Sequence, residues 1–365
     1  MIAEEQPKSG PLPENGSKRS GALQRFIKLL GPFIGLIVVI ALFGLSPESR
    51  STFLTMDNAD LVIGQTVIVG LGALGMTMII IAGGIDLSVG SAVALTGTLA
   101  ATWLVAGASP IVACLGALLA GALLGAFNGT AITWLRVTPF IVTLGTLGIA
   151  RGVAQWIGHE SQVFVQKHSW IENLTVKLST LATDDATAQH RPPTWFETHV
   201  ILNTPLGGLS QSVFLLVGLA ILVHLILRHT VFGRSLFAIG SNETAARLSG
   251  LRVDAIKIAV YTLAGVFFGL SGLIQFSKLG GEGDSTGNVG EELDVIAGVV
   301  IGGGSLNGGE GSVLGSMIGV LIMTLLRNGA VLMGWPAYVQ QIIIGAVIVV
   351  AVALDRFRHA QAARA

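Results

Sequence analysis

Long apolar segments separated by polar breaks occupy the chain from residue 31 to residue 354. A helix needs about 20 consecutive apolar residues to cross a bilayer, and most of these segments approach that length. The pattern therefore predicts an all-α integral membrane protein with about ten transmembrane helices, some of them discontinuous where Gly-rich stretches intervene. The predicted spans are residues 31–46, 59–82, 88–107, 110–134, 139–158, 212–228, 256–277, 292–304, 312–333 and 337–354.

Composition supports this class, because 52% of the residues are hydrophobic and only 12% are charged, against about 25% charged in soluble domains. The zero net charge argues against a nucleic-acid partner. The single cysteine, Cys114, lies in an apolar span, and the seven histidines show no paired spacing. No disulfide framework and no metal site are therefore expected.

Basic residues fall mainly on one side of the predicted spans. Cytoplasmic loops carry an excess of Lys and Arg, and ten crossings would put both termini on the same side. Fourteen of the 21 Lys and Arg residues then face the cytoplasm: Lys8, Lys18, Arg19, Arg25, Lys28, Arg136, Arg228, Arg234, Arg247, Arg252, Lys257, Arg356, Arg358 and Arg364. Five face outward: Arg50, Lys167, Lys177, Arg191 and Lys278. Both termini are therefore predicted to be cytoplasmic.

Three segments lie outside the spans. Residues 1–30 are predicted to form a disordered, basic cytoplasmic N-terminus, ending in an interfacial lead-in at 23–30. Residues 159–211 are predicted to be an external loop with a short surface helix or two, whose aromatic residues lie at headgroup level. Residues 356–365 form a cytoplasmic tail.

Two Gly-rich stretches, 83–91 and 302–312, interrupt apolar spans. Backbone groups freed by glycine must be buried in protein or line a wet cavity, and paired broken helices are typical of a translocation path. Asp86 is costly at membrane depth: it either caps the following helix or lines a polar path. The candidate path residues are Asp86, Ser88, Asn128, Thr143 and Asn307.

A polar, basic stretch at 232–257 separates two apolar spans. Its centre, residues 239–250, predicts one short helix capped by Ser241 or Asn242 and ended by Gly250. So short a helix is marginal in water, and it is expected to lack enough partners in its own chain.

Glycine spacings of the GxxxG type occur at 121–125 and 265–269 and predict close helix packing. The spacing at 70–75 matches a dinucleotide-binding pattern, but it lies in a continuous apolar segment without a preceding strand, so packing is the better interpretation. No Gly-Lys-Ser/Thr motif is present, so the chain has no P-loop and is not expected to hydrolyse ATP.

Four stretches resemble the permease subunit of bacterial sugar ABC importers of the ribose, xylose, galactose and arabinose kind. They are GGIDLSVGS at 83–91, FNG…RVTPFIVTLGTLGIARG at 127–152, GRSLFAIGSNETAARLSGLRV at 233–253 and ELDVIAGVVIGGGSLNGGEGS at 292–312. They occur in order and, taken together, extend the similarity over most of residues 55–355. Two features depart from the family: the external loop looks longer, and Thr138 stands where many members carry a second proline.

The resemblance implies that residues 31–355 form the permease domain of an inner-membrane homodimer and that 229–255 form a cytoplasmic coupling loop. It also implies a periplasmic sugar-binding protein outside and a cytoplasmic ABC ATPase inside, which binds the ATP and Mg²⁺; this chain itself binds no cofactor and is not an enzyme. The residues that would couple to the ATPase are Gly240, Asn242, Glu243, Ala245, Ala246, Arg247 and Gly250.

Two other transporter classes remain open from the sequence. A transporter driven by an H⁺ or Na⁺ gradient would use intramembrane acids, for which Asp86 and Asp294 are candidates. A permease for branched-chain amino acids would share the same architecture. A membrane-embedded enzyme is disfavoured, because the residues form no catalytic grouping.

Overall fold

A helix occupies each of the apolar segments predicted from the sequence. The structure, a computed structural model, describes residues 17–166, 169–189, 191–195, 197–202 and 205–362. Its main helices are α1 Ser17–Leu45, α3 Met56–Ile81, α4 Val89–Val105, α5 Pro110–Leu135, α6 Pro139–Gly158, α8 Gln211–His229, α11 Val253–Lys278, α12 Glu291–Ile301, α13 Val313–Leu332 and α14 Ala337–Ala362. Short helices between them are α2 Arg50–Phe53, α7 Leu178–Ala188, α9 Val231–Ser241 and α10 Glu243–Leu248.

The N-terminal prediction is tested only in part. Residues 1–16 of the expected disordered stretch lie outside the described residues, as do residues 363–365 of the tail. The first helix begins at Ser17, so the expected lead-in at 23–30 and the first apolar segment belong to one continuous helix.

Among the described residues, six helices are long and apolar enough to cross a membrane: α3, α5, α6, α8, α11 and α13. Three shorter apolar helical stretches are Gly31–Leu45, Val89–Val105 and Ala337–Ala353. The all-α membrane class is therefore confirmed, while the number of crossings and the orientation stay predictions.

Helix α3 lies at the centre of the fold, since all of its residues from 67 to 81 are buried. Such burial follows from its sequence, which is apolar on every face. Glycines bring its neighbours close: a Cβ at Gly72 would lie 3.2 Å from side-chain carbons of Val89 and Val295, and one at Gly75 only 2.9 Å from the Ala264 Cα. The glycine spacing at 70–75 therefore serves packing.

The crossing of α5 and α11 also depends on glycine. A Cβ at Gly121 would overlap the carbonyl oxygen of Gly265, and one at Gly125 would overlap that of Tyr261. The two GxxxG spacings thus pack against each other, as predicted. Polar side chains add bonds between other helices, with Ser271 Oγ donating to the Ile68 carbonyl at 2.8 Å.

The segment between α6 and α8 is fastened to the helices beside it. Its strand β1, Gln162–Phe164, pairs antiparallel with β2, Glu282–Asp284, which follows α11. The Ser277 hydroxyl donates to the Glu172 carbonyl at 2.8 Å and accepts from the Thr175 amide at 3.1 Å. Short 3₁₀ segments at Trp170–Thr175 and Pro205–Gly208, a π-helical turn at Glu197–Leu202 and α7 make up most of the rest.

Candidate functional site

The polar stretch forms two helices joined at Asn242, where the sequence predicted one. Asn242 has an extended backbone (φ −161°, ψ 99°), which ends α9 and begins α10. Its side-chain oxygen accepts a hydrogen bond from the Ala245 amide at 2.9 Å. Of the two N-cap residues that the sequence allowed, Ser241 and Asn242, the structure therefore uses Asn242. One residue thus turns the chain and caps the second helix.

Gly250 ends α10 as predicted. Its φ of +83° lies in the left-handed region, its amide donates to the Arg247 carbonyl at 3.0 Å, and the Leu251 amide donates to the Ala246 carbonyl at 3.1 Å. This pair of bonds is the Schellman motif. Leu251 also packs in a small apolar cluster with Ala246, Ile239 and Val253, so the helix end is fixed on its inner side.

Ion pairs join α10 to the start of α11, which differs from the expectation that this helix lacks partners in its own chain. Glu243 accepts from Arg247 at 2.9 Å and from Lys257 at 2.6 Å, and Arg247 also binds Asp254 at 2.5 Å. Burial raises the pKa of the Glu243 carboxyl, but the bonds from Lys257 and Arg247 outweigh it and leave the pKa below its ordinary value. Half-exposed pairs contribute roughly 0–1 kcal/mol each, so they orient α10 more than they stabilise it.

The outer face of α10 is free for contact. Ala246 is 4% exposed and faces its own chain, whereas Thr244 and Ala245 are exposed. Leu248 is 85% exposed. Leu248 is therefore an apolar side chain on this exposed face whose burial by another protein would be favourable.

The first broken segment, between α3 and α4, is organised by Asp86, which is fully buried. Its Oδ1 accepts the Ser88 amide at 2.8 Å and the Ser88 hydroxyl at 2.6 Å, and its Oδ2 accepts from Asn128 Nδ2 at 3.2 Å. The carboxylate therefore holds the turn that leads into α4 through its bonds to Ser88, the residue at the N-cap position of that helix. A role in a polar path stays a prediction.

The structure brings four of the five candidate path residues together. Asn128 Nδ2 also donates to Ser88 Oγ at 3.1 Å, and Thr143 Oγ1 lies 3.4 Å from the Ile85 carbonyl. Asn128 Oδ1 is buried and has no hydrogen-bond partner among the described residues. Asn307 is exposed on the second broken segment, and in the described part of the chain no hydrogen bond joins it to the other four.

The second broken segment, between α12 and α13, folds back on itself. The Ser305 amide donates to the Glu310 carbonyl at 3.1 Å, and the Gly308 amide donates to the Ser305 carbonyl at 2.9 Å. Ser312 then caps α13 by accepting the Gly315 amide at 3.1 Å. Several of the backbone groups that glycine frees are thus bonded inside the protein, as is required where no water is available.

Glycines bring α9 into direct contact with both broken segments. The Gly309 amide donates to the Ile81 carbonyl, at the end of α3, at 2.9 Å. A Cβ at Gly240 would overlap both that carbonyl oxygen and the Gly309 nitrogen, and a Cβ at Gly308 would lie 2.9 Å from the Cα atoms of Gly240 and Gly83. We call this contact of Gly83, Gly240, Gly308 and Gly309 with Ile81 the glycine junction.

The glycine junction could not be recognised from the sequence. The sequence named Gly240 as a candidate coupling residue but gave no sign of its contacts. Those contacts are with the loops at 83–84 and 308–309, which are more than 60 positions away in the chain. One feature of the sequence could have pointed to this contact: each of the three segments contains glycine where the chain leaves a helix.

The chain is similar in sequence to known transport proteins. Residues 58–352 match the family described as branched-chain amino acid transport system, permease component. The chain is 38% identical to the ribose import permease protein of Escherichia coli K12 over 323 residues, which are 88% of this chain and 92% of that protein. No solved structure matches the chain.

Two further relatives show the same extent of similarity. The ribose import permease of Bacillus subtilis 168 is 36% identical, covering 91% of this chain and 94% of its own length. The autoinducer 2 import system permease of Photorhabdus laumondii is 34% identical, covering 88% and 87%. Permeases of this kind are multi-pass inner-membrane subunits of ABC importers and are not themselves catalytic. The chain belongs to this family of permease components.

Proposed function

We propose that the protein is the transmembrane permease subunit of an ABC importer that translocates a monosaccharide, a ribose-type pentose or a hexose, across the inner membrane. Similarity to two ribose import permeases over about nine-tenths of the chain supports a sugar substrate. About ten crossings with both termini in the cytoplasm agree with the distribution of basic residues.

Three partners complete the proposed transporter. A separate cytoplasmic ATPase supplies ATP hydrolysis, because this chain has no P-loop; a periplasmic sugar-binding protein delivers the substrate; and a second copy of the permease forms a homodimer. The ATPase would contact the exposed face of α10, where Leu248 extends into solvent.

The glycine junction is the observation that carries this proposal. Gly240 lies in the last turn of α9, directly before the proposed ATPase contact, and it touches Ile81 before the first broken segment and Gly309 within the second. Close-packed backbone contacts transmit displacement with little slack. A movement of α10 driven by the ATPase would therefore shift the loops at 83–88 and 302–312 together and open the path alternately to each side.

Sugar selectivity would reside mainly in the binding protein. The described path group consists of one acid, two hydroxyls and one amide, bound largely to one another, so few groups remain for a tight substrate site. Asn128 Oδ1 is the buried atom of this group that has no hydrogen-bond partner among the described residues, so it is the acceptor that the group leaves for a sugar hydroxyl.

Replacement of Leu248 by Asp tests the ATPase contact. Burial of a leucine side chain is worth about 1.5–3 kcal/mol, so Leu248→Asp should weaken ATPase binding by about tenfold or more. The measurement is co-purification of the ATPase with the tagged permease, together with ATP-dependent sugar uptake in vesicles. Met56→Asp is the matched control, because Met56 is 84% exposed and lies at the far end of α3.

Both readouts should fall for Leu248→Asp and stay at the wild-type level for Met56→Asp. If the Leu248 variant binds the ATPase and takes up sugar as well as the wild type, α10 is not the helix that contacts the ATPase.

A permease for branched-chain amino acids is the second candidate, because the matching family is described by that substrate. The ligand that co-purifies with the cognate binding protein distinguishes the two functions. A monosaccharide supports the first, and leucine, isoleucine or valine supports the second.

A further inference from the structure

A polar cavity opens on the outer surface of the helices at the end where α3 begins and α11 and α13 finish. Its volume is about 240 Å³, and its polar lining comes from Gln65, Lys278, Thr324, Arg327 and Asn328. Leu61 and Val331 also line it and are 62% and 58% exposed. The cavity is thus polar within and apolar at its mouth.

The two charged side chains that line the cavity are both cations. Lys278 Nζ donates to Gln65 Oε1 at 2.6 Å, which uses one of the three protons that an ammonium group can donate. Arg327 binds the buried Asp294 at 2.8 Å through one terminal nitrogen, while its Nε is buried without a hydrogen-bond partner among the described residues. Lys278 therefore has donors left for a ligand in the cavity, and the Arg327 side chain, 38% exposed, lines the same cavity.

Two buried acids lie near these cations. Asp294, which is 5% exposed, pairs with Arg327 and fixes its guanidinium in place, in the way that a buried acid orients a binding arginine. Glu291, which is 4% exposed, interacts electrostatically with both Arg327 and Lys278. Neither acid is part of the lining, so the charged groups that an entering ligand meets are the two cations. An anion that enters the cavity would therefore first meet the ammonium group of Lys278 and the guanidinium group of Arg327.

The depth of the cavity suits a lipid headgroup. Lys278 is the last residue of α11, and Arg327 lies five residues before the end of α13, which is about 8 Å along a helix. The cations therefore lie within about two turns of the helix ends, where lipid phosphates meet the hydrocarbon region. The exposed Leu61 and Val331 continue the site into that region.

We infer that this cavity binds the phosphate group of an anionic phospholipid, with the acyl chains lying along Leu61 and Val331. Lys and Arg between transmembrane helices form lipid-headgroup pockets, and guanidinium groups suit phosphate oxygens. The apolar mouth favours a lipid over free phosphate. The two cations favour an anionic lipid over a zwitterionic one, whose ammonium group they would repel.

Native mass spectrometry of the purified full-length protein tests this site. The probes are phosphatidylglycerol, phosphatidylcholine and inorganic phosphate, each titrated into delipidated protein in detergent. We expect one tight phosphatidylglycerol, bound at least tenfold more tightly than phosphatidylcholine and not displaced by millimolar inorganic phosphate.

Two variants and one control make the assignment specific. Lys278→Gln keeps the hydrogen bond to Gln65 but removes the charge, and Leu61→Glu adds a negative charge at the exposed mouth without touching the core. Each should weaken phosphatidylglycerol binding about tenfold. Val105→Glu is the control, because Val105 is 58% exposed at the end of α4 and does not line the cavity.

Several results would overturn the inference. Equal retention of the two lipids would show that charge does not select the ligand, and displacement by inorganic phosphate would assign the site to a free anion. Unchanged binding in both variants, or equal weakening in the Val105 control, would place the lipid elsewhere on the surface.

Discussion

Gly240→Ala should reduce coupled uptake strongly while the protein still folds and inserts. A methyl group at this position would overlap the Ile81 carbonyl oxygen and the Gly309 amide nitrogen, both of which are backbone atoms that cannot rotate away. Overpacking of this kind costs about 1–3 kcal/mol or more. The glycine junction would have to separate, and with it the contact between α9 and the two broken segments.

The expected result is a loss of uptake of about tenfold or more, which corresponds to about 1.4 kcal/mol of coupling free energy. Alanine is a better helix former than glycine by about 1 kcal/mol, so α9 itself is not weakened. ATP hydrolysis by the bound ATPase should persist, because the outer face of α10 is unchanged.

Gly218→Ala is the matched control for this experiment. Gly218 lies within α8, and a Cβ there would meet no atom within 4 Å, so uptake should equal that of the wild type. Normal uptake in the Gly240 variant would refute the glycine junction as the link between the ATPase contact and the path.

Asp86→Ala should reduce the amount of folded protein rather than only its transport rate. The Ser88 amide, the Ser88 hydroxyl and the Asn128 amide all donate to this carboxylate in a fully buried site. An unsatisfied buried donor costs about 1–3 kcal/mol, and total stability is about 5–15 kcal/mol. Three such donors therefore remove a large share of the stability.

The measurement is the melting temperature of the purified variant in detergent, with thermal unfolding monitored by size-exclusion chromatography. The melting temperature should fall well below that of the wild type, whereas Asn307→Ala, at an exposed position of the other broken segment, should leave it unchanged. A stable Asp86→Ala protein that fails to transport would instead favour the path interpretation, in which the acid contacts the substrate.

Much of the fold followed from the sequence, because lipid leaves few choices. Apolar length located most of the helices to within a few residues, as in α5, predicted at 110–134 and observed at Pro110–Leu135. It missed the start of α1 at Ser17 and the end of α14 at Ala362, which extend into polar sequence. Local cap chemistry was equally readable: the roles of Asn242 and Gly250 depend on neighbours three to five residues away. The helix positions depend on the transfer of apolar residues into lipid, and the helix caps depend on neighbouring residues, so both can be predicted from a short stretch of sequence.

The features that sequence reasoning missed are set by contacts distant in the chain. The pairing of β1 with β2 joins residues 162–164 and 282–284, and the bonds of Lys257 and Asp254 to α10 depend on how α11 begins. The division of residues 239–250 between two helices depends on the extended backbone of Asn242. That turn lets α9 reach the glycine junction while α10 turns outward. The need for the turn comes from the tertiary structure, and the sequence of residues 239–250 does not indicate it.

Reconstituted transport with and without ion gradients tests the central claim most directly. The permease, its ATPase and the sugar-loaded binding protein are placed in proteoliposomes that hold ATP on the ATPase side. Uptake of the labelled sugar that the binding protein carries is measured in the presence of ionophores. An ABC permease should keep full uptake without ion gradients and lose it when a non-hydrolysable analogue replaces ATP. Uptake that collapses with the ionophores and does not need ATP would show a gradient-driven transporter and contradict the account.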